Sequence, residues 1–337
     1  MKEAMFYQKL DGDSVRCGLC RFHCLIESGK RGHCTVRENR DGVLYSLVYG
    51  RAVAEHVDPI EKKPLFHVLP GSRSYSVATV GCNFRCLHCQ NYSISQPELP
   101  EVEHSGSFLA PETIVERALA TGCSSISYTY TEPTIFFEYA YETAVLARAA
   151  GLKNIFVTNG YITDEALGVI APYLDAANID LKGFSKGFYR DVVGASLDQV
   201  LDCIREYRRL GIWLEITTLV IPNLNDAEDE LRGIARFIAT ELGAHTPWHV
   251  TQFYPTYRLM DQPRTPVTTL RNARRIGEQA GLRYVYEGNV PGEGGENSTC
   301  PACGGLLIRR HGYIIEKNLI VDGKCPGCGC AVDGVWK

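Results

Sequence analysis

The stretch VGCNFRCLHCQN, Val80 to Asn91, sets Cys82, Cys86 and Cys89 in a C-x3-C-x2-C pattern directly after an apolar run. Three thiolates this close in sequence can wrap one face of an iron–sulfur cube. A 4Fe-4S cluster takes four cysteines, so a loop that supplies three leaves one iron open to an exogenous ligand. The competing assignment is zinc held by the three cysteines and His88 or a distant ligand. Structural zinc sites are usually built from two paired C-x2-C knuckles, and this loop contains one.

Outward from that loop, short apolar runs alternate with longer amphipathic ones. Strands are expected at SYSVATV (74–80), SISYTY (125–130), NIFVT (154–158), AANID (176–180), WLEITTLVI (213–221), WHVTQF (248–253) and RYVY (283–286). Helical patterns such as PETIVERALATG and AEDELRGIARFIATELG lie between them; Gly151 and Gly243 fall where a helix C-cap needs glycine, and Pro111 near a helix start. Repeated βα units imply an α/β fold with a parallel sheet, and six or seven of them suit a full or partial (β/α) barrel. The Cys82 loop then follows the first barrel strand, where such folds carry their chemistry. Three parts are expected: residues 1–73, a Cys-rich module with a short hairpin; 74–290, the barrel core; and 291–337, a Gly-rich linker running into a small module.

Composition narrows the function. Of 337 residues, 45% are hydrophobic and 22% charged, which describes an ordinary folded chain and excludes a disordered one. A net charge of -4 provides no global field for nucleic acid or anionic lipid. There is no apolar leader and no membrane-spanning run, so a cytoplasmic location is expected. In that reducing compartment the 14 cysteines serve metal or redox chemistry.

Two further cysteine sets flank the core. Cys300-Pro-Ala-Cys303-Gly and Cys325-Pro-Gly-Cys328-Gly are paired knuckles of zinc-ribbon type, with a rubredoxin-type iron site as the competitor. A module this small needs the metal as a staple. Cys17, Cys20, Cys24 and Cys34 suffice for structural zinc or for a second 4Fe-4S cluster, with His23 and His33 as substitute ligands; zinc is favoured because the module has no core of its own. Cys123, Cys203 and Cys330 are read as incidental thiols.

The Cys82 loop resembles that of the radical S-adenosylmethionine (radical SAM) superfamily, and CNFRCLHCQN looks like its pyruvate formate-lyase activating enzyme branch. Thr131-Glu132-Pro133, Thr158-Asn159-Gly160 and Asp180-Leu181-Lys182 stand at the ends of successive strands, where that branch has its cofactor motifs. DPIEKKPL, YTYTEPT, LVIPNLND, PWHVTQFYP and YVYEGNVPG together resemble the AmmeMemoRadiSam system radical SAM enzymes along nearly the whole chain. The resemblance implies that Cys82, Cys86 and Cys89 hold a 4Fe-4S cluster that ligates SAM, and that Glu132, Thr158, Asn159, Asp180 and Lys182 orient the SAM. It also implies a 5'-deoxyadenosyl radical that abstracts hydrogen, an electron donor such as flavodoxin or ferredoxin, and a Memo-type partner protein.

The chain departs from the activases in two ways. No ferredoxin-like insert follows the Cys82 loop, and Val157 stands where a related activase has an acidic residue that helps hold a cation beside SAM. Both speak against a literal glycyl-radical activase. The other alternative is a zinc-dependent scaffold or RNA-binding protein, against which the net charge and the three-cysteine loop both argue. Ordinary roles compete for single residues: Glu132 as a helix cap, Asp180 and Lys182 as an ion pair, Tyr128 and Tyr130 as core and rim aromatics, His249 as a hydrogen-bonded core histidine.

Overall fold

The structure is a computed structural model that describes residues 1–97, 102 and 105–337. The chain divides into two compact units: residues 1–58, 73–177 and 198–212 form one, and 59–72, 178–197 and 213–337 the other.

In the first unit, β1 (Arg37–Arg40) and β2 (Val43–Ser46) make the short hairpin expected near the N-terminus. Next come β3 (Ala54–Pro59) and β4 (Arg73–Ala78), then α1 (Pro111–Ala120), β5 (Ser125–Tyr128), α2 (Phe137–Ala149) and β6 (Lys153–Thr158). The strands neighbour one another in the order β3-β4-β5-β6. β4, β5 and β6 run parallel, with Ser125 opposite both Ser74 and Lys153. All four residues of β5 are buried, as the strand of a sheet covered on both faces must be. After α3 (Asp164–Ile170) the chain passes through β7 (Ala176–Asp180) and later returns to this unit in α4 (Leu197–Arg209).

The helices end in a shared way. After α2, the N–H of Gly151 reaches the carbonyl of Arg148 and that of Leu152 reaches Ala147, at 3.1 and 2.9 Å. Gly122 and Cys123 do the same after α1, and Gly211 and Ile212 after α4. Each glycine is left-handed, at φ 79°, 65° and 77°. This motif satisfies two terminal carbonyls and turns the chain into the next strand. Gly243 closes instead the wider turn Ile238–Gly243.

In the second unit, β7, β8 (Trp213–Val220), β9 (Trp248–Gln252) and β10 (Val285–Gly288) neighbour one another in that order. β8, β9 and β10 run parallel, with Trp248 opposite both Ile216 and Val285, and α5 (Glu228–Phe237) and α6 (Val267–Gln279) alternate with them. The chain closes with a three-stranded antiparallel sheet, β11 (Ser298–Thr299), β12 (Leu306–His311) and β13 (Ile314–Asn318).

Every expected strand is present; the one at Ala176–Asp180 keeps its expected ends and the others shift theirs. The clearest difference is at β5, which stops at Tyr128 instead of Tyr130. Tyr130 has φ 63° and its carbonyl accepts the Asn91 side-chain N–H at 2.8 Å, so the chain has left the strand before Thr131. The last strand lies two residues later than expected, over residues 285–288.

Candidate functional site

The Cys82 loop leaves β4 through Gly81, which has φ 97°. A Cβ at this position would lie 2.5 Å from Val36 Cγ1 and 3.2 Å from the Cys34 carbonyl oxygen, so glycine is required twice over, by conformation and by space. The loop is tied down at both ends. The Gly81 N–H donates to the Ile94 carbonyl at 2.8 Å, and the Gln96 side chain donates to the Phe84 carbonyl at 3.0 Å. Phe84 is buried and meets the Tyr161 ring edge-on at 5.1 Å.

Each end of the triplet has polar groups against sulfur. The Phe84 N–H donates to Cys82 Sγ at 3.3 Å, Asn159 Nδ2 lies 3.8 Å from the same sulfur, and Ser95 Oγ is 3.1 Å from Cys89 Sγ. Burial, the Glu132 carboxylate and neighbouring Cys86 together push the Cys82 thiol well up. A bound metal would reverse that balance, because a coordinating thiol is deprotonated outright.

Glu132 joins the loops that follow β5 and β6. Its Oε1 accepts from the Thr134 N–H (3.0 Å), the Thr134 hydroxyl (2.6 Å) and the Thr158 hydroxyl (2.7 Å), and its Oε2 accepts from the Asn159 N–H (2.8 Å). It does cap the short helix Pro133–Phe136, and it does more than that. Burial raises its pKa, and the hydrogen bonds from Asn159, Thr134 and Thr158 oppose the rise. Asn159 continues the chain of contacts, donating to Asn83 Oδ1 at 2.7 Å. Asn83 Nδ2 and Asn159 Oδ1 are buried without a partner among the described residues. Buried polar atoms are rarely left so, and one donor and one acceptor beside Cys82 fit a polar ligand bound against a metal cluster.

The first unit thus brings together Cys82, Cys86, Cys89, Glu132, Thr158 and Asn159. Asp180 and Lys182 lie in the second unit at the end of β7, where Lys182 Nζ contacts Asp180 Oδ2 at 2.8 Å. The ordinary ion pair is therefore present.

The other cysteine sets differ in spacing. Cys300, Cys303, Cys325 and Cys328 place their four sulfurs within 4.8 Å of one another, the only group of such ligand atoms to converge that tightly among the described residues. Cys300 Sγ is 3.6 Å from Cys328 Sγ, and Cys303 Sγ is 3.8 Å from Cys325 Sγ. A tetrahedral ion with bonds of about 2.3 Å to sulfur sets its ligands about 3.8 Å apart, so these four fit one metal ion. The two knuckles are copies: the N–H of Gly304 reaches Cys300 O at 2.8 Å, and that of Gly329 reaches Cys325 O at 2.9 Å. The sulfurs of Cys17, Cys20, Cys24 and Cys34 are near neighbours without converging in this way. Burial, and after it the proximity of Cys17, raises the thiol of Cys20; burial likewise holds that of Cys34 up at about 11.

Sequence reading did not single out Asn83, Ser95 or Tyr161 beside the loop. Asn83 and Asn159 are 76 positions apart; the resemblance names Asn159, while Asn83 stands out only when the two loops meet. Tyr128 donates to Asn154 Oδ1 at 3.1 Å inside the core, and the Tyr130 hydroxyl donates to the Asp58 carboxylate at the rim. His249 is a buried core histidine near the start of β9, with Nε2 2.7 Å from Glu215 Oε2. No helix among the described residues is long and apolar enough to cross a membrane.

Comparison with known proteins agrees with this geometry. The chain is 49% identical to the uncharacterized protein MJ0808 of Methanocaldococcus jannaschii over 337 residues, 99% of each chain. A second protein of that organism, MJ1632, named as a candidate glycyl-radical enzyme activating enzyme, is 28% identical over 179 residues, 50% of this chain and 64% of its own. Among solved structures, a radical SAM methyltransferase from Sphaerobacter thermophilus superposes with a TM-score of 0.51 at 14% identity, covering 70% of this chain and 71% of that one. Streptococcus suis SuiB bound to its precursor peptide SuiA also gives 0.51 at 14% identity, over 68% of this chain and 51% of that one. At such identity these two speak for the fold alone. The family described as the Radical SAM superfamily matches residues 76–238, the span that begins in β4 just before the three-cysteine loop, and this chain belongs to that superfamily of enzymes.

Proposed function

We propose that the chain is a radical SAM enzyme that abstracts hydrogen from its substrate, with Cys82, Cys86 and Cys89 as the ligands of a 4Fe-4S cluster. With SAM bound at its open iron and one electron supplied, such a cluster yields methionine and a 5'-deoxyadenosyl radical. The observation that carries the reading is the join between loops: Glu132 holds Thr158 and Asn159, and Asn159 in turn faces Asn83 and the Cys82 sulfur. Glu132 and Asn159 present carboxylate and amide groups suited to the amino and carboxylate ends of SAM. Thr158 fixes Glu132, and Gly160 N–H fixes Thr158 at 3.1 Å. By the sequence resemblance, Asp180 and Lys182 are further candidates for orienting SAM. The repeated βα units of the sequence suit a full or partial barrel.

Radical SAM enzymes need an electron donor, and a flavodoxin or ferredoxin would serve. The motifs spread along the chain suggest the AmmeMemoRadiSam branch, with which a Memo-type partner and a cytoplasmic location would go. The ribbon cysteines would hold zinc in a structural role, since their sulfurs already have its spacing. A glycyl-radical activase is the second reading, supported by the likeness to MJ1632.

The test is electron paramagnetic resonance of the anaerobically reconstituted, reduced protein. A cluster resonance that shifts when SAM is added supports the proposal. A reconstituted protein with no cluster, or with one indifferent to SAM, overturns it.

A further inference from the structure

We propose that Cys17, Cys20, Cys24 and Cys34 hold an iron–sulfur cluster, the second of the molecule, and not the single zinc ion favoured from sequence. The argument begins with spacing. Around one tetrahedral ion the sulfurs sit about 3.8 Å apart. Around a cube they stand farther apart, because an edge of the cube lies between the irons they ligate. The ribbon has the first spacing; among the described residues no other set of cysteines converges so tightly.

The surroundings point the same way. Arg37 is 1% exposed, and its Nη1 lies 3.7 Å from Cys17 Sγ. Its Nη2 pairs with the buried Glu138, which also accepts the Met5 N–H at 2.7 Å. Arg37 Nε is buried and has no partner among the described residues. An unpaired guanidinium N–H is costly in the interior, and in a side chain that touches Cys17 an acceptor is expected for it. The sulfide and thiolate sulfurs of a cluster supply one; a single zinc ion adds no acceptor beyond the cysteines. The His33 N–H, 3.4 Å from Cys24 Sγ, is a second donor aimed at the set.

The position of this set gives a further consequence. The Cys34 carbonyl oxygen lies 3.2 Å from where a Cβ of Gly81 would be, and Arg85 of the Cys82 loop donates to the His33 carbonyl. The segments that carry the two cysteine sets are therefore in contact. If the Cys82 loop carries a cluster, as the preceding proposal holds, two reduced clusters on touching segments are expected to broaden one another's resonance. The assignment of the N-terminal set does not itself depend on that reading.

The experiment uses the full chain, reconstituted anaerobically with iron and sulfide, alongside the Cys82→Ala, Cys86→Ala, Cys89→Ala variant. Iron, sulfide and zinc are measured on each, with Mössbauer and paramagnetic resonance spectra. The expected result is about eight irons per chain in the natural protein and about four in the variant, as two clusters of four and one of four require, with one zinc in each. The cluster left in the variant should ignore SAM, and its resonance should be narrower. About four irons and two zincs in the natural protein, all the iron responding to SAM, would overturn this inference and leave the SAM site standing. Eight irons of which none responds to SAM would uphold it and overturn the SAM site. Should the variant fail to fold, the iron count of the natural protein decides alone.

Discussion

The Cys82 loop and the C-terminal ribbon both present cysteines, and they are held in opposite ways. In the ribbon the bonds that shape each knuckle are local, from Gly304 back to Cys300 and from Gly329 back to Cys325. Cys303 and Cys328 are exposed, and little but the ribbon's own turns positions them. At Cys82 the shaping groups come from far along the chain: Val36 and Cys34 crowd Gly81, Asn159 reaches the sulfur, and Tyr161 packs on Phe84. A site that only grips an ion can be built from its own turns. A site that must leave one metal position open beside a substrate surface has to borrow its walls.

That contrast can be broken by mutation. The largest effect is expected from replacing Cys82, Cys86 and Cys89 together by alanine: the SAM-responsive resonance should vanish completely while the ribbon keeps its zinc. Loss of zinc along with it would show that the two regions fold as one site. Replacing Cys303 and Cys328 by serine should do the reverse, releasing zinc and lowering the melting temperature with the SAM-induced shift retained.

Gly81→Ala sharpens the claim that the Cys82 loop borrows its walls. A left-handed backbone and a Cβ 2.5 Å from Val36 Cγ1 should cost about 1–3 kcal/mol or more, read by denaturant unfolding. Unchanged stability would mean that the close approach relaxes freely. Glu132→Gln should weaken SAM binding about tenfold or more with iron content intact, since the residue holds Thr158 and Asn159 and is not among the proposed cluster ligands. Asp180→Ala should behave likewise. Iron lost in parallel with SAM affinity would assign Glu132 a folding role instead.

The smallest effect concerns the second unit. His67 is buried between the Asp333 carbonyl and the Tyr286 hydroxyl, at 2.7 and 2.6 Å, and burial lowers its pKa to about 4. Between that value and the ordinary one near 6.5 the unfolded chain binds the extra proton and the folded chain does not. Stability should therefore rise with pH across this window and fall as the pH drops through it. His67→Gln should flatten that slope without moving SAM affinity; an unchanged slope would exclude His67 as its source.

The same contrast explains what could be read from the sequence. The ribbon knuckles, the hairpin and the βα alternation are local patterns, and Gly151 marked the end of α2 because a left-handed residue is needed just there. The equivalent glycines 122, 211 and 281 were not singled out, although 281 follows α6 with the same two bonds. The end of β5 was misplaced because alternation continues through Tyr130, while the chain turns for the sake of Asn91 and the segment beyond. Glu132 could be read as a cap from Pro133 alone; the resemblance named Thr158 and Asn159 beside it, but its hold on them spans more than 25 residues and is seen only in the structure. The Asn83–Asn159 contact and the unpaired Arg37 Nε carry no sequence signature, since each depends on loops that meet only in the folded chain.

The most direct test of the central claim is the product formed from SAM by the reconstituted protein with dithionite under strictly anaerobic conditions. The account predicts slow, abortive 5'-deoxyadenosine formation by the protein alone, because the three-cysteine loop and the residues proposed to orient SAM all lie in this chain. Substrate should accelerate it by offering a positioned C–H bond to the radical. S-adenosylhomocysteine as the only product from a fully reconstituted cluster would mean methyl transfer, and would contradict the radical reading.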